Sequence, residues 1–284
     1  MNNNKNRITR TIVLLMISFL FLWSGSPLKA QLIQPLPPAE LKAVDVTEHL
    51  GEKIPFDLTF TNDAGEKVKL GDYFKPGRPV ILVLAYYECP MLCTLVLNGV
   101  ADGLHDLDWT PGDKFQVLTI SIDSTETAQL AHAKRENLLP VVGKPGSEDG
   151  WRFFVGDGPD IRSLAQSVGF QYYYDPQLKQ FAHPAVAMIL SGDGRISRYL
   201  YGIEFKKQDL KLALLEASEG KIGTTIDRII LFCYHYNPEA KGYVLFATNL
   251  MKLAGILTVI AIALLLLVLW KRERHNKTDN VVAS

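Results

Sequence analysis

Pro79-Val80-Ile81-Leu82-Val83-Leu84-Ala85-Tyr86 runs without a break into Tyr87-Glu88-Cys89-Pro90-Met91-Leu92-Cys93-Thr94. The first eight residues are apolar without alternation, the pattern of a central strand covered on both faces. From Met91 to Leu107 the apolar residues Leu92, Leu95, Val96, Val100 and Leu104 recur at helical spacing. The stretch therefore predicts a buried strand, a loop bearing Cys89, and a helix with Cys93 in or near its first turn.

On the N-terminal side, Phe56-Asp57-Leu58-Thr59-Phe60 alternates like a half-buried strand and Asp63-Ala64-Gly65 turns into Lys67-Val68-Lys69-Leu70, an opening hairpin. On the C-terminal side come a strand (residues 115–122), a helix (about 125–138), a short strand (151–155) and a helix (about 160–168). Two β-rich runs, 185–190 and 196–201, then flank Ser191-Gly192-Asp193-Gly194-Arg195, and a last helix spans about 206–216. Hairpin, β-α-β, helix, hairpin and helix make an α/β sandwich over residues 56–218.

The ends carry different signals. Residues 1–30 have a basic start (Lys5, Arg7, Arg10), an apolar centre and Leu28-Lys29-Ala30 as a cleavage site, a signal peptide or a retained signal anchor. Residues 31–55, with Pro35, Pro37, Pro38 and Pro55, are expected to be a tether. Residues 253–270 hold eighteen positions without a charge, so a transmembrane helix is expected over 250–270, behind a juxtamembrane segment, 219–249. Lys271, Arg272, Arg274 and Lys277 make 271–284 a cytoplasmic tail. Both basic flanks place residues 31–249 on the opposite side, the periplasm in a bacterial cell. With 30 basic and 30 acidic residues the chain has no net charge, which gives a nucleic-acid partner no support.

Cys89 and Cys93, at a strand–helix junction, suit either reversible disulfide exchange or binding of a soft metal, since both need thiolates near the positive end of a helix. Three intervening residues lean toward metal, and two thiolates want a third donor. Of the six histidines, His49 lies in the expected tether, His105 and His132 in expected helices, and His275 in the tail. His183 stands before Pro184 and a strand, in a loop at a sheet end where functional side chains collect. Cys233 and His235, two positions apart before the membrane span, are either an accessory metal site or docking surface, or part of an aromatic juxtamembrane segment with Tyr234, Tyr236 and Tyr243.

Cys89-Pro90-Met91-Leu92-Cys93, then Ser121-Ile122-Asp123, Gly150-Trp151-Arg152-Phe153-Phe154-Val155-Gly156 and a histidine before the closing hairpin resemble the Sco/SenC family over roughly residues 50–218. The resemblance implies a thioredoxin-like fold and a membrane-tethered copper chaperone for cytochrome c oxidase or a related copper-oxidase subunit, supplied by a copper donor protein. It implies Cys89, Cys93 and His183 as ligands of copper, Cu(I) or Cu(II), and gives Asp123 an accessory or structural place. The alternative is a thiol-disulfide oxidoreductase that uses Cys89 and Cys93 as its redox-active pair to reduce cysteines of an oxidase subunit. Thr94 stands where the family usually has proline, and Ala182 where an aspartate commonly precedes the histidine. The familiar family anchor is N-terminal, whereas the convincing helix here is C-terminal.

Overall fold

The structure, a computed structural model, describes residues 44–89, 92–219, 234–237, 242–245, 251–252, 254–264 and 267. Contacts divide the chain into residues 1–38 and 39–284, and every described residue belongs to the second unit. It opens with the hairpin β1 (Thr59–Asn62) and β2 (Lys67–Lys69). Asn62 closes the turn: its Oδ1 accepts from the Ala64 and Glu66 N–H groups at 3.0 and 2.9 Å.

Strand β3 (Val80–Ala85) leads to helix α1 (Leu92–Asp106), strand β4 (Gln116–Ser121) and helix α2 (Ala128–Val142). A single turn, α3 (Ser147–Gly150), precedes β5 (Trp151–Gly156) and helix α4 (Gly158–Ser167). A small hairpin, β6 (Tyr173–Asp175) and β7 (Gln180–Ala182), comes before the larger one, β8 (Val186–Leu190) and β9 (Ile196–Tyr201), and helix α5 (Lys207–Ala217). Strands β10 (Tyr234–Asn237) and β11 (Gly242–Leu245) form a separate antiparallel pair.

One mixed sheet has the order β2-β1-β5-β4-β3-β8-β9. All six residues of β3 are buried, as a strand without alternation requires. It pairs in parallel with β4 and antiparallel with β8, so it is held on both edges. The architecture is the mixed α/β, thioredoxin-like sandwich that the resemblance implied. Continued past the Val83–Ala187 pair, the β3–β8 register brings His183 level with Tyr87, next to the cysteine loop.

Helix α1 is seated through two glycines one turn apart. A Cβ on Gly99 would lie 1.9 Å from the Ile203 carbonyl oxygen, and one on Gly103 2.6 Å from that of Phe205. The β9–α5 connection thus lies directly on the helix backbone, and the helix that carries Cys93 cannot shift outward without losing that contact.

Two expectations change. The second half of the expected tether is part of the folded unit: Val46 bridges to Phe170, Lys53 to Arg195, and Ile54 is only 2% exposed. Tyr199 fastens this strap, its Oη accepting from the His49 N–H and donating to the Val168 carbonyl, both at 3.0 Å. Helix α2 runs past Leu138 through Pro140 and ends where Gly143, at φ 64°, closes it. Among the described residues no helix is long and apolar enough to cross a membrane. Within the expected span, residues 251–252, 254–264 and 267 are helical and exposed, and the others lie outside the described residues, as do 1–43 and 271–284.

The Gly99 contact makes a prediction: Gly99→Ala will destabilise the protein by roughly 1–3 kcal/mol, as overpacking does elsewhere, read as a lower thermal midpoint. An unchanged midpoint would show that α1 is free to move.

Candidate metal centre

The strand end, the helix start and the loop before β8 converge on three side chains. The donor atoms of Cys89, Cys93 and His183 all lie within 4.8 Å of one another, and the three residues are buried. Cys93 sits in the first turn of α1 with no exposure, and the Cys93 N–H donates to Cys89 Sγ at 3.3 Å. The positive end of the helix is thereby turned on the Cys89 sulfur. The Tyr86 N–H donates to Cys93 Sγ at 3.4 Å. Neither cysteine is in a disulfide.

The histidine tautomer follows from its neighbours. His183 Nδ1 is 2.9 Å from the Pro184 carbonyl oxygen, which can only accept, so Nδ1 carries the proton and Nε2 is the lone-pair nitrogen. Nε2 in turn lies 2.6 Å from Cys93 Sγ, and the thiol donates to it. Burial pushes the Cys93 thiol well up, only partly countered by the Tyr86 N–H, and pushes the His183 imidazole below its ordinary value against the pull of the Pro184 carbonyl. Both groups are therefore neutral near pH 7. The imidazole is fixed by rings: Phe170 stacks on it with centroids 5.9 Å apart, and Tyr86 meets it edge-on at 6.1 Å. Two sulfurs and one imidazole nitrogen suit a soft ion.

A family model described as SCO1/SenC matches residues 46–215, more than half of the 284 residues. The chain belongs to the SCO1/SenC family. Comparison with curated proteins gives no match. Among solved structures it is similar to a proposed electron transfer protein from Aquifex aeolicus VF5, with 24% identity, a TM-score of 0.53, and coverage of 59% of this chain and 94% of that one. A second Aquifex aeolicus VF5 protein, a proposed electron transport protein, has 24% identity, a TM-score of 0.50, and coverage of 59% and 98%. Arabidopsis thaliana ScoI with copper bound has 18% identity, a TM-score of 0.47, and coverage of 60% and 98%. The two Aquifex likenesses show a shared fold.

Against the SCO1/SenC pattern, Thr94 replaces a proline with a tie. Its Oγ1 donates to the Cys89 carbonyl at 3.2 Å and accepts from Lys134 Nζ at 3.2 Å, so the loop is held to α1 by a hydroxyl. Asp123 stays out of the donor cluster; its Oδ1 accepts from the Thr125 N–H and hydroxyl at 2.8 and 2.7 Å and closes a turn. His49 and His105 are engaged by the Ser167 and Val142 carbonyls, and His132 lies 3.8 Å from Asp63. Cys233 and His275 lie outside the described residues, and His235 is placed only as a backbone position in β10, opposite Val244.

Glu126, which sequence reasoning passed over, holds the loop before Cys89. Its Oε1 accepts from the Tyr87 and Glu88 N–H groups at 2.6 and 2.8 Å, and its Oε2 from Ser121 Oγ at 2.5 Å. Burial raises its pKa above the ordinary value of 4.5, although Ser121, Glu88 and Tyr87 all pull the other way. With a raised folded pKa, its contribution to stability is full while the carboxyl is protonated and declines as pH rises through that value. Glutamine keeps an acceptor for both N–H groups and carries no charge. Glu126→Gln should thus match the wild type in unfolding free energy near pH 4 and exceed it increasingly toward pH 7. Glu126→Ala leaves the Tyr87 N–H without its acceptor and should cost about 1–3 kcal/mol throughout. Denaturant unfolding across this range measures both, and a Gln variant equally weakened at every pH would disprove the assignment.

Proposed function

We propose that the protein is a membrane-anchored copper chaperone: Cys89, Cys93 and His183 take copper on the periplasmic side, from a copper donor protein, and pass it by ligand exchange to a copper-bearing subunit of cytochrome c oxidase or a related oxidase. The observation that carries this reading is the convergence of two cysteine sulfurs outside any disulfide and an imidazole lone pair, with all three donor atoms within 4.8 Å of one another. Family membership and the sequence resemblance point the same way.

The donor set favours copper over the commoner alternative. Structural zinc almost always takes four protein ligands, and among the described residues the cluster offers three. Two thiolates favour Cu(I), and the imidazole extends the site to Cu(II). The Cys93 thiol donates to His183 Nε2, so an ion that takes both atoms must displace that hydrogen bond. The Cys93 thiol proton must leave at that moment. Uptake is therefore coupled to proton release and grows stronger as pH rises.

The membrane part rests on the sequence. Residues 250–270 supply the C-terminal span and 271–284 the basic cytoplasmic tail, leaving the SCO1/SenC domain outside the cytoplasm, with residues 1–30 as the export signal.

Copper titration of the detergent-purified full chain without oxygen tests the proposal. The expected result is one copper per chain, with affinity falling by at least about a hundredfold in Cys89→Ser, Cys93→Ser and His183→Ala, beyond what loss of a supporting group causes. Unchanged binding in these variants would refute it. Oxidase assembly restored in cells by His183→Ala would instead identify the pair as a thiol-disulfide reductant.

A further inference from the structure

Beside the metal centre lies a cleft of about 490 Å³, at the C-terminal end of the parallel strands. Its walls come from the loop after β4, from α4, and from the β6–β7 hairpin with the residues leading into it. In α/β sheets this end is where ligands are received. The volume suits a short stretch of chain.

Three features define the occupant. First, the cleft is separated from the metal centre by single aromatic rings. Phe170, one of its lining residues, stacks on the His183 ring, and Phe181, another, meets Tyr86 edge-on with centroids 5.5 Å apart. Second, Arg162 on α4 is the single charged side chain among the lining residues, and it is exposed. The rest of the lining is aromatic, amide, hydroxyl or aliphatic, with Tyr174 half exposed at 50%. A lone guanidinium in an uncharged, aromatic cleft fits a carboxylate, which it can hold with paired N–H donors. Third, Tyr173 and Tyr174 belong to β6, and β6 pairs only with β7 in a two-stranded sheet. Among the described residues its outer edge has no strand partner, and such an edge accepts an extended segment through main-chain hydrogen bonds.

We propose that this cleft receives an extended, acidic segment of the protein with which copper is exchanged, Arg162 taking its carboxylate and Tyr172 and Tyr174 its apolar flank. A segment seated there runs beside Phe170 and Phe181, the rings that hold His183 and Tyr86, and so delivers the partner's own ligands to the buried donors. Tyrosine and arginine are the residue types that carry binding energy in such surfaces. The identity of the partner rests on the copper-exchange reading; the binding of an acidic segment does not.

The test uses the full chain in detergent and two blocked, fluorescein-labelled pentapeptides, Val-Phe-Asp-Val-Thr and the same peptide with asparagine in place of aspartate, followed by anisotropy without metal. The aspartate peptide is expected to bind about tenfold more tightly, the margin that one charge-assisted contact supplies. Arg162→Glu should erase that preference and Tyr174→Ala should weaken both peptides, while copper stoichiometry stays at the wild-type value in both variants. Equal affinity for the two peptides, no binding of either, or a preference that survives Arg162→Glu would overturn the proposal. A wild-type chain that binds the peptide but no copper would remove the chaperone reading and leave the cleft standing.

Discussion

The β3–β8 antiparallel pairing is the constraint from which the rest of the molecule follows. β3 is paired in parallel on one edge and antiparallel on the other, so the segment leaving its C-terminal end and the segment entering β8 emerge at the same point of the sheet. Cys89 lies on the first segment and His183 on the second, 94 residues later in the chain. Neither helix packing nor loop chemistry alone would bring them together. The remaining contacts refine this meeting: the glycines of α1 set the depth of Cys93, Glu126 anchors the turn before Cys89, and Phe170 fixes the plane of the His183 ring.

Much of this was legible in the amino-acid pattern, and the misses have physical causes. The unbroken apolar run of β3, the helical spacing behind Cys93 and the Gly- and Asp-containing turn between β8 and β9 each report a local periodicity, and each element appears where that periodicity puts it. The β6–β7 hairpin was invisible because its strands are three residues each and lie half in solvent, too short for alternation to register. Residues 46–54 looked like a linker because they follow a proline-rich run and show no sustained period, yet backbone bridges and the buried Ile54 hold them down. Glu126 was missed for a different reason. A polar residue in a Ser-Thr-rich connection has no pattern to betray that its carboxylate reaches two N–H groups nearly 40 residues earlier in the chain.

The site reconciles two opposing demands. Thiols buried in apolar surroundings hold their protons, and an imidazole so placed refuses one. Cys93 and His183 therefore rest as a neutral pair joined by a hydrogen bond, which avoids the large cost of a buried unpaired charge. The carboxylate that does approach this region, Glu126, is aimed at backbone rather than at sulfur. Charge enters the cluster only with a cation that compensates it.

The two cysteines are unequally exposed, 8% for Cys89 and none for Cys93, which sets an order for anything that reaches them. An incoming nucleophile meets Cys89 first, while Cys93, roofed by its own helix, is reached only afterwards. Cys89 is the threshold of the cluster and Cys93 its innermost point, so the order of approach is written into the depth of the two residues.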